Sequence, residues 1–118
     1  MVLVDTSVWI EHLRFGHAGL EPLLNAGEVI CHPFVIGELA CGTLKNRKTI
    51  LSLLKALPSA VEADHAEVMD FLEKNLLMGR GLGLIDVHLI ASALLSGVQL
   101  WTLDKKLRQA SSKLGIAY

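Results

Sequence analysis

Val2-Leu3-Val4-Asp5-Thr6-Ser7-Val8-Trp9-Ile10-Glu11 opens the chain and decides its architecture. Three apolar residues stop at an aspartate, and the residues beyond it take up a helical period. Val2–Val4 is expected as a short buried strand and residues 6–13 as a helix, capped by Asp5 or Ser7. An acid that follows a strand in an open α/β sheet stands at the carboxyl edge, where such sheets place their ligands.

The alternation continues outward from that unit. Residues 20–26 read as a short helix ended by Gly27, and residues 28–31 as a strand. Pro33 suits the first turn of a helix that runs to Cys41 and stops at Gly42. Residues 48–56 form a further helix before Leu57-Pro58, and a weak strand is expected at 60–62. Asp64 caps a helix through Leu77 whose apolar positions Val68, Phe71, Leu72 and Leu76 share a face. Gly79, Gly81 and Gly83 mark a loop, residues 85–96 a nearly all-apolar helix closed by Gly97, and residues 98–102 a buried strand. Residues 105–114 form a polar-faced helix, and 116–117 an edge strand. Strands alternating with helices imply βαβ units. The expected fold is a single α/β domain over residues 1–118, three-layered α/β/α around a short, mainly parallel sheet.

Composition narrows the function classes. The chain has 118 residues, 52% of them apolar and 19% charged, so it carries a real core and apolar surface to spare for a dimer or a partner. No run reaches the ~18 apolar residues of a membrane span; the best, residues 84–95, contains Asp86, His88 and Ser92. The N-terminus lacks a basic region, so no signal peptide is expected, and the location is read as cytoplasmic. Cys31 and Cys41 form no C-x-x-C pair and are expected as small buried hydrophobes. A net charge of −1 gives no overall basic field for nucleic acid. The cations are uneven, however, with Lys45, Arg47 and Lys48 in one cluster and Lys105, Lys106, Arg108 and Lys113 in another. A solvated helix face accounts for either cluster equally well.

Four acids carry the chemistry. Asp5 ends its apolar run, Glu38 interrupts Phe34-Val35-Ile36-Gly37-Glu38-Leu39-Ala40, Asp86 opens an apolar helix, and Asp104 closes the run from Val98 to Leu103. Taken singly, each aspartate is accounted for as a helix cap. Glu38 is not: its neighbours at three and four residues are Phe34, Val35, Cys41 and Gly42, a face with no sign of solvation. A carboxylate there needs a metal, a cation or a set of hydrogen bonds. Carboxylates converging from separate elements with few cations beside them are how proteins hold Mg²⁺ or Mn²⁺. Thr6, Ser7 and Thr102 are hydroxyls placed to support Asp5 and Asp104. Other chemistries find no footing. There is no P-loop, no dinucleotide fingerprint and no nucleophile elbow, and Gly79-Arg80-Gly81-Leu82-Gly83 follows no strand. The histidines at 12, 17, 32, 65 and 88 show no H-x-x-x-H spacing and are expected to be surface or hydrogen-bonded residues.

With these residues in place, the whole chain resembles the PIN-domain family, most closely the VapC-type toxins of toxin–antitoxin pairs. The resemblance is carried by V-L-V-D-T-S-V-W-I-E (2–11), I-G-E-L-A-C-G (36–42), L-I-D-V-H-L-I-A-S-A-L (84–94) and L-W-T-L-D-K-K-L (100–107), in this order and at these separations. It implies an acidic quartet of Asp5, Glu38, Asp86 and Asp104, with Thr6 or Ser7 and Thr102 as polar support. It also implies an endoribonuclease using Mg²⁺ or Mn²⁺ to hydrolyse RNA to 5′-phosphate and 3′-hydroxyl ends, a homodimer, and a small antitoxin that covers the acidic groove. Under that reading Lys45, Arg47 and Lys48, and Lys105, Lys106 and Arg108, bracket the acids and hold flanking phosphates. Two rivals remain: a degenerate PIN-like module that only binds RNA or protein, and a metal-dependent hydrolase of small phosphate esters.

Overall fold

Parallel strands need crossover helices, and this chain supplies them in sequence order. A computed structural model describes residues 1–118. Strand β1 (Val2–Val4) lies between β2 (Val29–Ile30) and β3 (Gln99–Trp101), giving a three-stranded, wholly parallel sheet of order β2-β1-β3. Leu3 stands opposite Ile30 on one side and Leu100 on the other. Helices α1 (Thr6–Phe15) and α2 (Leu20–Asn25) connect β1 to β2. Helices α3 (Pro33–Cys41), α4 (Arg47–Ala56), α5 (His65–Lys74) and α6 (Leu84–Ser96) lead on to β3, and α7 (Lys105–Lys113) follows it. Every residue of β1 is buried, so helices cover both faces of the sheet in the expected three layers.

The core grows from that strand. Leu3 and Val4 pack with Val8 of α1, Leu20 of α2, Val35 of α3, and Leu89 and Ile90 of α6, all of them sealed from solvent. Helix α6 packs on β3 and on α5, and its run from Val87 to Ala93 is buried throughout, which is why it reads as apolar on all sides. Its start at Leu84 and its end at Gly97, in the left-handed conformation at φ +66°, match the expected limits to within a residue.

Four local expectations fail, each for a visible reason. Residues 60–62 form no strand; the chain makes one bridge there, Cys31 to Ser59, with Ala60 N–H donating to the Cys31 carbonyl at 2.8 Å. The edge strand at 116–117 is likewise a single bridge, Leu100 to Ala117. Helix α5 ends at Lys74 instead of Leu77, because Leu76 flips to φ +53° and stays exposed while Leu77 turns into a small core with Val68, Val87 and Ala91. Cys31 is buried as expected, but Cys41, at the end of α3, is exposed.

Leu3 is fully buried in the central strand. Leu3→Ala should cost about 2–5 kcal/mol of unfolding free energy, read from the urea midpoint at constant m. A loss under about 1 kcal/mol would contradict this description of the core.

Candidate active site

The sheet delivers Asp5 and Asp104 to one edge. The ladder between β1 and β3 runs one residue past the strands, with Asp5 N–H donating to the Trp101 carbonyl at 2.8 Å. That bond sets Asp5 beside Thr102, and their side chains meet. Thr102 Oγ1 donates to Asp5 Oδ2 at 2.7 Å, and Ser7 Oγ donates to the same oxygen at 2.8 Å. Each hydroxyl also accepts from the turn after β3. Leu103 N–H donates to Ser7 Oγ at 3.0 Å, and Asp104 N–H to Thr102 Oγ1 at 3.0 Å. The two hydroxyls lie 3.3 Å apart, but both protons point to the carboxylate, so that contact is a consequence of the arrangement. Asp5 is therefore buried and immobilised. Expected to cap α1, it makes no side-chain cap bond.

The other acids are held by local rules. Asp104 is the N-cap of α7, its Oδ1 accepting from Leu107 N–H at 2.9 Å. Asp86 sits in the first turn of α6, and its Oδ2 accepts from Gly83 N–H at 2.9 Å. Glu38 reaches across from α3, where its Oε1 accepts from Thr6 Oγ1 at 2.7 Å. In each case one carboxylate oxygen is taken by a hydrogen bond, and none of the four enters an ion pair; the two in the molecule join the N-terminus to Glu28 and Lys74 to Asp70.

The charges of the other three acids act on Asp86. Burial holds the Asp86 carboxyl above the usual carboxylate range; the Gly83 N–H opposes the rise, and the charges of Asp5, Asp104 and Glu38 add to it. These four carboxylates with hydroxyl backing form a hard oxygen set suited to Mg²⁺ or Mn²⁺. No three of the chain's His, Cys, Asp or Glu side chains stand close enough together to enclose an ion as they lie. An incoming cation would have to draw the carboxylates inward, and a cluster with no positive partner favours that movement.

Glu38 corrects one expectation. Its helix face is open to solvent and lines a cavity of ≈ 580 Å³ with Ile10, Arg14, Phe15 and Lys45. Of its four helical neighbours only Val35 takes the core side of α3; Phe34 and Cys41 are exposed and Gly42 lines the groove. Lys45 shares that groove, as anticipated; Arg47 instead braces the turn, Nη1 donating to the Gly42 carbonyl at 3.1 Å, and Lys48 is exposed outside it. Lys105, Lys106 and Arg108 lie exposed on the first turn of α7, directly after Asp104. Arg14 is a groove residue that sequence reading missed. Its signal was its place four residues after Ile10 on the same helix face.

Two of the five histidines, His32 and His88, differ from expectation. His32 is sealed in the interior, where Nδ1 accepts from Phe34 N–H at 3.0 Å as the N-cap of α3 while Nε2 has no partner. Burial pulls the His32 imidazole below the ordinary histidine range, with Glu62 opposing and His88 adding to the fall. His88, two residues after Asp86, turns away to pack against Phe34.

At neutral pH the raised Asp86 carboxyl means that its charge costs folding free energy. With the folded value above the unfolded one, the contribution of this group is most favourable at low pH and is lost as pH rises through the folded value. Asp86→Asn keeps an acceptor for Gly83 N–H and removes the charge. In EDTA at pH 7 its thermal midpoint should lie a few degrees above wild type, and a lower midpoint would contradict the crowding of charge described here.

Comparison with known proteins shows the family. The model of the family "PIN domain" matches residues 2–113. Ribonuclease VapC32 of Mycobacterium tuberculosis, in strains CDC 1551 / Oshkosh and ATCC 25618 / H37Rv, is 48% identical over 118 residues, covering 99% of this chain and 95% of the relative. The crystal structure of PAE2754 from Pyrobaculum aerophilum superposes with a TM-score of 0.62 over 92% of this chain and 78% of that one, at 19% identity, and so bears on the fold alone. By family model, near-full-length relatives and fold together, the chain belongs to the PIN-domain family.

Proposed function

We propose that this protein is a divalent-metal-dependent endoribonuclease and the toxin of a toxin–antitoxin pair, with Asp5, Glu38, Asp86 and Asp104 as its metal-holding and catalytic acids. The observation that carries the reading is the convergence of the four carboxylates, without a counter-cation, on a partly buried Asp86. The ribonuclease name of relatives 48% identical over nearly the whole chain supports it.

Each residue has a defined part. Asp5 is the fixed member, since Ser7 and Thr102 hold its Oδ2 and leave Oδ1 free of hydrogen bonds. Thr6 steers Glu38, and backbone amides at the starts of α6 and α7 orient Asp86 and Asp104. Asp5, Glu38, Asp86 and Asp104 would hold Mg²⁺ or Mn²⁺, which would supply charge at the scissile phosphate, activation of the attacking water and stabilisation of the leaving 3′-oxygen. No histidine base is needed, in keeping with a site whose neighbouring histidine turns into the core. Lys45 in the Glu38 groove, and Lys105, Lys106 and Arg108 after Asp104, are the side chains placed to meet phosphates of the RNA on either side; Arg47 and Lys48 contribute charge nearby.

The inferred partners are RNA, a small antitoxin and a second copy of the chain. No helix is long and apolar enough to cross a membrane. An apolar groove of ≈ 230 Å³, lined by Trp9, Leu13, Leu24, Ile50, Leu53 and Leu57 among others, shares Leu13 and Ile50 with the Glu38 cavity. An antitoxin segment lying along both would bury the exposed Leu53 and end at the acids. Exposed Leu84, Leu94 and Leu95 on α6 give a second copy an apolar face.

End-labelled single-stranded RNA should be cut in Mn²⁺ or Mg²⁺ and left intact in EDTA, with 5′-phosphate and 3′-hydroxyl products. Asp5→Asn should lower the rate by at least about 100-fold. Products ending in a 2′,3′-cyclic phosphate, or equal cutting by the variant, would refute the proposal.

A further inference from the structure

The glycine loop that the acidic site leaves unused holds a lysine. Gly81 has φ +73°, and a Cβ built on it would lie 2.5 Å from Cδ, 3.0 Å from Cε and 2.7 Å from Nζ of Lys106. The Lys106 side chain therefore occupies the space that the missing side chain leaves, with its ammonium set down on the loop. Gly79 in the same loop also has a positive φ, +72°, but nothing lies within 4 Å of its Cβ position. The close fit belongs to Gly81 alone of the two.

Both ends of this contact are close in sequence to the acids. Lys106 is two residues beyond Asp104, and Gly81 two residues before Gly83, whose N–H holds Asp86. Lys106 nevertheless pairs with none of them, for neither ion pair in the molecule involves it. Its position is also unfavourable for the helix. The first turn of α7 has no acidic residue and carries lysines at the end where the helix dipole disfavours cations. An unpaired ammonium, seated on the glycine loop against the dipole and two residues beyond Asp104, is suited to an anion brought from outside.

We propose that Lys106 is a substrate-binding residue that grips a non-bridging oxygen of an RNA phosphate at the acidic site, and that Gly81 is its positioning residue. This rests on the ribonuclease reading above. Polyanionic RNA approaching four carboxylates meets repulsion, and one cation fixed at the rim offsets it where the phosphate must sit. The flexibility of lysine makes the seat necessary, since a free stem would spread its charge over many rotamers.

The test compares Gly79→Ala, Gly81→Ala, Lys106→Ala and the Gly81→Ala/Lys106→Ala double variant with wild type. Both glycine variants force an alanine into the same left-handed backbone region, and only one displaces the lysine. KM and kcat are measured on single-stranded RNA with Mn²⁺, and RNA affinity is measured in EDTA at several salt concentrations, each variant being checked for its folded circular dichroism. Lys106→Ala should raise KM and weaken affinity by about 5–10-fold, with kcat changed far less, and should lower the salt slope by about 0.7. Gly81→Ala should reproduce most of the KM effect with its charge intact, Gly79→Ala should stay within about twofold, and the double variant should be no worse than Lys106→Ala. If wild type cuts RNA and Gly81→Ala matches Gly79→Ala, or the double variant is additive, the lysine seat is refuted while the ribonuclease reading stands. Wild type that neither cuts nor binds RNA overturns both.

Discussion

Two hydroxyl protons on one carboxylate oxygen hold this site together. Ser7 belongs to α1 and Thr102 follows β3, and both donate to Oδ2 of Asp5 at the end of β1. Because each hydroxyl also accepts a backbone N–H from the β3–α7 turn, the carboxylate fixes that turn, and with it the start of α7 and Asp104. Hydrogen bonds to a charged group are worth about 1.5–3 kcal/mol each, which offsets part of the cost of burying this carboxylate. Removing Thr102 Oγ1 would also leave the Asp104 N–H without its acceptor. The parallel sheet then matters chiefly as a ruler: it sets β1 and β3 in register so that these groups can meet.

The remaining acids are added to this anchor at some loss of stability. Asp86 is brought in by the start of α6, a helix so apolar that burial of its inner face fixes its position. Glu38 comes last, from a helix packed on α1, and is steered by one hydroxyl in an open groove. Crowding them raises the Asp86 carboxyl above its ordinary range, first through burial and then through the other three charges. A domain that needed only to fold would not keep this arrangement. It is the strain expected of a site that is completed by a cation.

Much of this was legible in the sequence, and the reasons are specific. Val2–Val4, Pro33–Cys41 and the long apolar helix announce themselves by period, by Pro33 at a first turn and by Gly97 at an end. Asp5 and Asp104 follow from strand ends in an α/β sheet. What failed depends on tertiary contacts. Leu76 and Leu77 are both leucine, and only the position of the small core decides that the second turns inward and ends α5. Glu38 was read as shielded because its helical neighbours are apolar, but a list of neighbours does not distinguish the wall of a groove from a core. His32 gave no sign of serving as a buried cap, since its bond to Phe34 N–H exists only once the chain turns into α3. The seat of Lys106 on Gly81 joins residues 25 positions apart and left no mark in either local pattern.

Each of the four carboxylates has one oxygen already hydrogen-bonded, and the proposed function requires them to close together around an ion. A calorimetric titration of Mn²⁺ into the purified wild-type protein and into Asp5→Asn examines that directly. Saturable binding by wild type, weakened at least about tenfold in the variant while its fold is retained, is the expected result. Wild-type protein that takes up no Mn²⁺, or a variant that binds it equally well, would contradict the assignment of these residues to a metal-holding site.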